Sequence, residues 1–261
     1  MSLLACMCNQ PQRLAEALGP VRGALVVPAP VSRWGMGYVQ GGEVLLSRTP
    51  KSSADPLDFF PAIAGLKTDC LIGHATTDDE VLATESTQPF RFRRWMFAQD
   101  AAPSLPPDVW RALAEPIPDF LRRNLRGRTV SELTLHVFLA MLHDQSMLDD
   151  PNVTLPVVRR ALADAVATMA AGLAKAGVTA SLGNVAVSNT RSLSLARIEG
   201  GAPVYLRRLH VFDDRGARDD SFRGVLVLST SQPPGDGAEE VPPGSVVTIS
   251  RDLRVDIAAL A

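Results

Sequence analysis

The sequence predicts an α+β fold in which two sheets are sandwiched between helical layers, and three observations carry that prediction. Short apolar runs bounded by turn-forming residues fill the N-terminal part, two longer segments with helical spacing occupy the middle, and from Val178 onward the pattern returns to strands. The chain has 261 residues, 46% of them hydrophobic, which is enough for one sizeable core. Chains of ~250 residues commonly form one domain. Residues 1–261 are therefore read as a single domain.

Each element has a local reason. A hairpin is predicted over residues 36–47, where Gly41-Gly42 tolerates the positive φ of a tight turn. A helix is predicted to begin near Asp55-Pro56. Residues 69–74 (DCLIGH) and 94–99 (RWMFAQ) are apolar runs with polar boundaries, as buried strands have, and they are expected to be neighbours. The polar loop between them closes on Thr87-Gln88-Pro89-Phe90, where proline holds its predecessor extended and Phe90 can anchor the loop on the core. Both strands end beside a long loop, so residues 73–102 mark a candidate cleft. Residues 132–144 and 155–176 carry helical apolar spacing, and Gly177 supplies a C-terminal cap to the second. Residues 232–244 (QPPGDGAEEVPPG) read as a surface loop.

Composition excludes several classes. A net charge of -2 and a pI near 6.1 give no broad basic surface, so nucleic acid is not an implied partner. The local clusters Arg91, Arg93, Arg94 and Arg122, Arg123, Arg126, Arg128 read as solvated faces. The first residues lack the basic start and apolar run of a secretory signal, and no uncharged apolar stretch reaches the ~18 residues of a membrane span. A cytoplasmic protein without membrane contact is expected. Cys6, Cys8 and Cys70 are too few for a disulfide framework and should stay free.

The segment order resembles that of class II glutamine amidotransferases, a branch of the N-terminal-nucleophile amidohydrolases, and in particular their small stand-alone bacterial members. In that family a strand ends in a His-x-Arg-like motif, a loop carries Glu-Asn-Thr-His-Pro-Phe, and the next strand ends in Phe-Ala-His-Asn-Gly. The matching segments here are Gly73-His74-Ala75-Thr76, Glu85-Ser86-Thr87-Gln88-Pro89-Phe90 and Phe97-Ala98-Gln99-Asp100-Ala101. Residues 1–11 (MSLLACMCNQP) are similar to the family's opening strand, and Trp34-Gly35-Met36-Gly37-Tyr38 to its Gly-Trp-Gly-hydrophobic segment. Residues 127–132 (GRTVSE) are similar to its Gly-x-Thr-Asp-Ser-Glu helix start, 184–197 to the strand pair around its Asp-Gly hairpin, and 225–249 to its closing strands. The resemblance implies a four-layer αββα sandwich of two mainly antiparallel sheets, the N-terminal-nucleophile hydrolase fold. It also allows a homodimer, and no cofactor or metal is expected.

The resemblance implies a catalytic N-terminal residue whose α-amine is the base, since an amine with a pKa of ~8 can take up a proton near neutrality. Alignment with one deletion after Cys8 places Ser2 at that position. Ser2 is either a nucleophile freed by removal of Met1, which a small second residue favours, or the plain start of a strand. Cys6 and Cys8 share its face by strand alternation; each would need a propeptide cleaved to act, and both read better as buried structural thiols.

The implied substrate contacts are altered together. The family arginine that holds the glutamine carboxylate is Thr76 here, or Thr77 if the loop shifts, and the aspartate that accepts its ammonium is Val130. Losing both would forfeit several kcal/mol, with each charged hydrogen bond contributing ~1.5–3 kcal/mol. The Asn-Gly of the oxyanion hole is Asp100-Ala101, preceded by Gln99. An ionised carboxylate has no proton to donate to an oxyanion, and one lost donor costs ~10²–10³ in rate. Arg91, Arg93 and Arg191 are the cations that could replace the lost arginine. Glu132, His136 and His143 could share a helix face, but without a fourth ligand they read as a polar face. His74 and His210 read as structural.

Two functions follow. One is a catalytically silent amidotransferase-like protein that binds a protein partner or a small ligand. The other is an active amidohydrolase using Ser2 on a non-glutamine amide.

Overall fold

The computed structural model describes residues 1–50, 53–77, 83–100, 103–179 and 182–260. The first half contains β1 (Leu3–Cys8), α1 (Leu14–Leu18), β2 (Val26–Val27), β3 (Arg33–Gln40), β4 (Glu43–Thr49), β5 (Leu57–Asp58), α2 (Phe60–Ala64), β6 (Cys70–Thr76), β7 (Phe90–Phe92) and β8 (Trp95–Gln99). Then come α3 (Pro107–Ala114), α4 (Asp119–Arg122), α5 (Val130–Asp144) and α6 (Leu155–Lys175). The chain closes with β9 (Val185–Ser188), β10 (Leu193–Arg197), β11 (Val204–Leu209), β12 (Gly224–Ser229), β13 (Ala238–Glu240), β14 (Ser245–Ile249) and β15 (Val255–Ala259).

The strands form a seven-stranded sheet, order β13-β11-β12-β1-β6-β3-β4, and a six-stranded sheet, order β15-β14-β10-β9-β8-β7, with β2 and β5 pairing apart. All described pairings are antiparallel. Strand alternation divides β1 between two cores. Leu3, Ala5 and Met7 meet Met96, Ala98, Leu195 and Val247 of the other sheet, while Leu4, Cys6 and Cys8 face Leu14, Leu18 and Ile63 of the α1–α2 layer. A third cluster joins the outer face of the six-stranded sheet, through Trp95, Phe97 and Val187, to Phe138, Leu139 and Leu162 of α5 and α6. The result is the expected αββα stack of four layers.

Helix α5 is buried almost all round over its first ten residues, as a central helix is. Its start is fixed locally. Thr129 Oγ1 accepts from the Glu132 N–H at 3.2 Å, and the Glu132 carboxylate accepts from the N–H groups of Arg126 (2.7 Å) and Gly127 (2.8 Å). The β3–β4 turn has both Gly41 (φ 62°) and Gly42 (φ 82°) in the left-handed region, and α6 ends on Gly177 (φ 72°), both as expected.

Three expectations change. Residues 69–74 and 94–99 do form strands, but β6 and β8 lie in different sheets and meet face to face. Each is flanked within its own sheet, β6 by β1 and β3, β8 by β7 and β9. The first helix after Asp55-Pro56 begins only at Phe60, because β5 comes first and pairs with β2. The loop over 232–244 contains β13, which pairs with β11 through Tyr205 and Glu240.

Candidate functional site

Ser2 stands at the mouth of the sandwich where β1 begins. Its N–H donates to the Ser229 carbonyl at 3.1 Å and its carbonyl accepts from Ala75 at 2.9 Å, so its backbone is locked between β12 and β6. Around it lies a cleft of about 400 Å³ whose walls include Met1, Ser2, His74, Thr76 and Asp100. Gly200-Gly201-Ala202 also lines it. At Gly201 a side chain could not fit, because a Cβ there would stand 2.5 Å from Asn184 Oδ1. No arginine or lysine lines the cleft among the described residues.

Asp100 follows β8 and is 4% exposed. Its N–H donates to the Asn184 carbonyl at 2.8 Å, and the residue lines the cleft. The hydroxyls of Ser229 and Ser2 and the amide of Asn184 lie near enough to favour its charged form, although none of them makes a well-formed hydrogen bond to either buried carboxylate oxygen. Asn184 Nδ2 is already committed to the Ala202 carbonyl (2.9 Å) and Ser229 Oγ (3.0 Å). Desolvation therefore prevails and pushes the carboxyl up to about 6. The Met1 α-amine is lowered by burial, an effect that Asp100 partly opposes.

His74 on β6 is buried and held neutral: burial first, then the charge of Arg33, lower it to about 4, against a hydrogen bond to the Gln99 backbone. Gln88 is the brace of this corner. Its Oε1 accepts from the Gln99 N–H at 2.6 Å and its Nε2 donates to the Gln99 carbonyl at 3.0 Å, with Ser131 Oγ at 3.3 Å. The loop carrying Gln88 can approach because β3 has Gly35 there, where a Cβ would lie 2.5 Å from the Gln88 carbonyl. Phe90 is buried in the helical core as expected of an anchor.

The expected site residues separate into three groups. Ser2, Thr76 and Asp100 share the cleft. Gln99 and Val130 do not line it: the Gln99 side-chain amide is buried without a hydrogen-bond partner among the described residues, and Val130 starts α5 inside the helical core at 1% exposure. Ala101 lies outside the described residues. The cations proposed to replace the lost arginine are elsewhere, since Arg91, Arg93 and Arg191 line a different cleft beside Met7 and Cys8, at the opposite end of β1. At ~3.3 Å per residue that is about 20 Å from Ser2.

The buried cation nearest in register is Arg33, which pairs with Thr76 across β3 and β6 and donates through Nη1 to the Ser86 carbonyl at 3.2 Å. Sequence reasoning missed it; an arginine entering the glycine-rich strand Trp34-Gly35-Met36-Gly37 was the available signal. Cys6, Cys8 and Cys70 are buried and free, and burial raises all three thiols, Cys8 and Cys70 to about 12. They are poor nucleophiles. His136 Nδ1 donates to the Glu132 carbonyl at 2.8 Å while His143 is exposed against Phe120, so the two do not converge. No group of three metal-ligating side chains exists among the described residues, and none of the described helices is long and apolar enough to cross a membrane.

No protein-family model matches the sequence, and no curated protein is similar to it. Solved structures are similar over the whole length. A glutamine aminotransferase class-II domain protein from Silicibacter pomeroyi has 19% identity and a TM-score of 0.61 over 99% of both chains. A predicted glutamine amidotransferase from Pseudomonas aeruginosa has 15% identity and a TM-score of 0.57, over 99% of this chain and 100% of that one. The glutamine phosphoribosylpyrophosphate amidotransferase of B. subtilis has 12% identity and a TM-score of 0.55; the match covers all of this chain and 49% of that one. The chain therefore has the fold of a class II glutamine amidotransferase domain, the N-terminal-nucleophile hydrolase sandwich.

Proposed function

We propose that this protein does not hydrolyse glutamine and uses its amidotransferase-like cleft to bind a small ligand or a protein partner. The observation that carries this reading is Asp100, a carboxyl whose burial outweighs the nearby Ser2, Ser229 and Asn184 donors, in a cleft without a cationic side chain among the described residues. With its carboxyl pushed to about 6, Asp100 is still mostly ionised at pH 7 and repels both the carboxylate of a glutamine and the oxyanion of its hydrolysis. Thr76 offers a hydroxyl where charge pairing is needed, and Val130, packed in the core, offers nothing to an ammonium. The test is glutamate release from L-glutamine by the full chain. No release above that of Ser2→Ala is expected, and release that Ser2→Ala abolishes would overturn the proposal.

A second reading has one observation in its favour: Ser2 lies in the same cleft as Asp100, its backbone fixed on both sides. It is an active amidohydrolase with Ser2 as nucleophile and an uncharged amide as substrate. This requires the α-amine of Ser2 to be free. Intact mass spectrometry decides it, since retained Met1 excludes the chemistry.

A further inference from the structure

At the far end of β1, four connections bring six cations around a second cleft of about 930 Å³. Lys67 precedes β6, Arg91, Arg93 and Arg94 surround the β7–β8 turn, Arg191 lies between β9 and β10, and Arg251 turns from β14 into β15. Glu43 and Asp69 are the acidic residues on its walls, so the lining carries an excess of positive charge on a chain whose net charge is -2. Such concentration of one sign in a concave surface focuses its field and draws in anions.

Half of these charges are already committed within the protein. Arg91 Nη1 donates to the Val44 carbonyl at 2.5 Å and stands 3.7 Å from Glu43, Arg93 pairs with Asp149, and Arg191 Nη1 donates to Asn152 Oδ1 at 2.6 Å. Lys67, Arg94 and Arg251 make no hydrogen bond or ion pair among the described residues, although Arg251 acts on Asp69 electrostatically. Three of the four connections thus each leave one cation for a ligand.

The backbone that presents them is strained. Arg93 (φ 53°) and Thr190 (φ 74°) both occupy the left-handed region, unusual for any side chain and especially for a β-branched one. Thr190 is held there by Asn189, whose Oδ1 accepts from the N–H groups of Arg191 (3.1 Å) and Ser192 (2.9 Å). Strain retained by a surrounding network points to a constrained site.

From this arrangement we infer a binding site, separate from the Ser2 cleft, for a small molecule carrying at least two phosphate groups. Three uncommitted cations from three loops require more than one anionic group, and arginine forks match phosphate oxygens. No aromatic ring lines the cleft among the described residues, so it lacks the platform on which single-stranded nucleic acid stacks its bases.

Isothermal titration of the full chain with inorganic tripolyphosphate tests the assignment. Saturable one-to-one binding is expected, weakened at least tenfold in Arg94→Ala/Arg251→Ala and unchanged in Arg254→Ala, with thermal melting confirming that all three chains are folded. Arg94 and Arg251 make no hydrogen bond or ion pair among the described residues and Arg254 makes an exposed ion pair with Asp252, so folding should survive. Four results overturn it: no saturable binding, equal binding by the double variant, equal or tighter binding of sulfate or citrate, or displacement by single-stranded RNA at lower phosphate concentration.

Discussion

Replacing Asp100 with asparagine should stabilise the protein at neutral pH, and the size of the effect follows from where the carboxyl sits. Its pKa is raised from 3.8 to about 6, chiefly by burial. An unfolded Asp100 thus loses its proton first as pH rises, so the stability associated with the protonated group is fully present below pH 3.8 and is lost as pH passes through about 6. At about 1.4 kcal/mol per unit, the ionised carboxyl costs the fold about 3 kcal/mol at pH 7.5 and about 1 kcal/mol at pH 4.5. An asparagine side chain has the same shape and no charge. Urea unfolding of Asp100→Asn and wild type at both pH values should therefore show the stabilisation by the variant growing by about 2 kcal/mol on going from pH 4.5 to 7.5. Contributions from groups not coupled to Asp100, His74 among them, are common to both proteins and cancel. A stabilisation independent of pH would refute the reasoning, because it would mean that the carboxyl is compensated in the fold, the Met1 α-amine being the nearest candidate.

Two further substitutions probe the same corner. His74 is lowered from 6.5 to about 4, so its contribution is fully present above pH 6.5 and lost as pH falls; His74→Gln should remove about 2 kcal/mol of the destabilisation that wild type suffers between pH 8 and pH 5, measured by urea unfolding. Gln88→Ala should cost about 2–4 kcal/mol in the same assay, since it removes both hydrogen bonds to the Gln99 backbone in a site closed to water, and unfolding within about 1 kcal/mol of wild type would show that the brace is dispensable.

The legible parts of this chain were those governed by neighbours in sequence. The Gly41-Gly42 turn, the cap at Gly177, and helices α5 and α6 could be read because turn conformation and amphipathic period are local properties. The short helices α1, α3 and α4 were not read, since a few residues hold too little of a helical period to stand out. Strand β13 escaped for a similar reason: Ala238-Glu239-Glu240 has no apolar alternation, and its pairing to β11 gives the segment its form.

The candidate site divides in the same way. Thr76 and Asp100 could be placed from their motif positions, and both line the Ser2 cleft. Val130 could not: its motif position falls on a helix start that faces the core, so its side chain packs with Leu133 and Phe138 rather than toward a ligand. Arg33 went unseen because its relation to Thr76 is a cross-strand register between segments 43 residues apart in sequence.

By itself the sequence determined which residues are available: a serine near the N-terminus, a carboxyl where an amide donor is implied, and arginines scattered through several loops. Only the tertiary structure decided what those residues meet. Asp100 is an ordinary carboxylate until burial removes its water, β6 and β8 become opposite walls once they join different sheets, and Arg94, Arg191 and Arg251 become one patch only when three loops end at the same edge of the sandwich. Charge and hydrogen-bonding capacity belong to the side chain, whereas desolvation and proximity depend on long-range packing that no local pattern encodes.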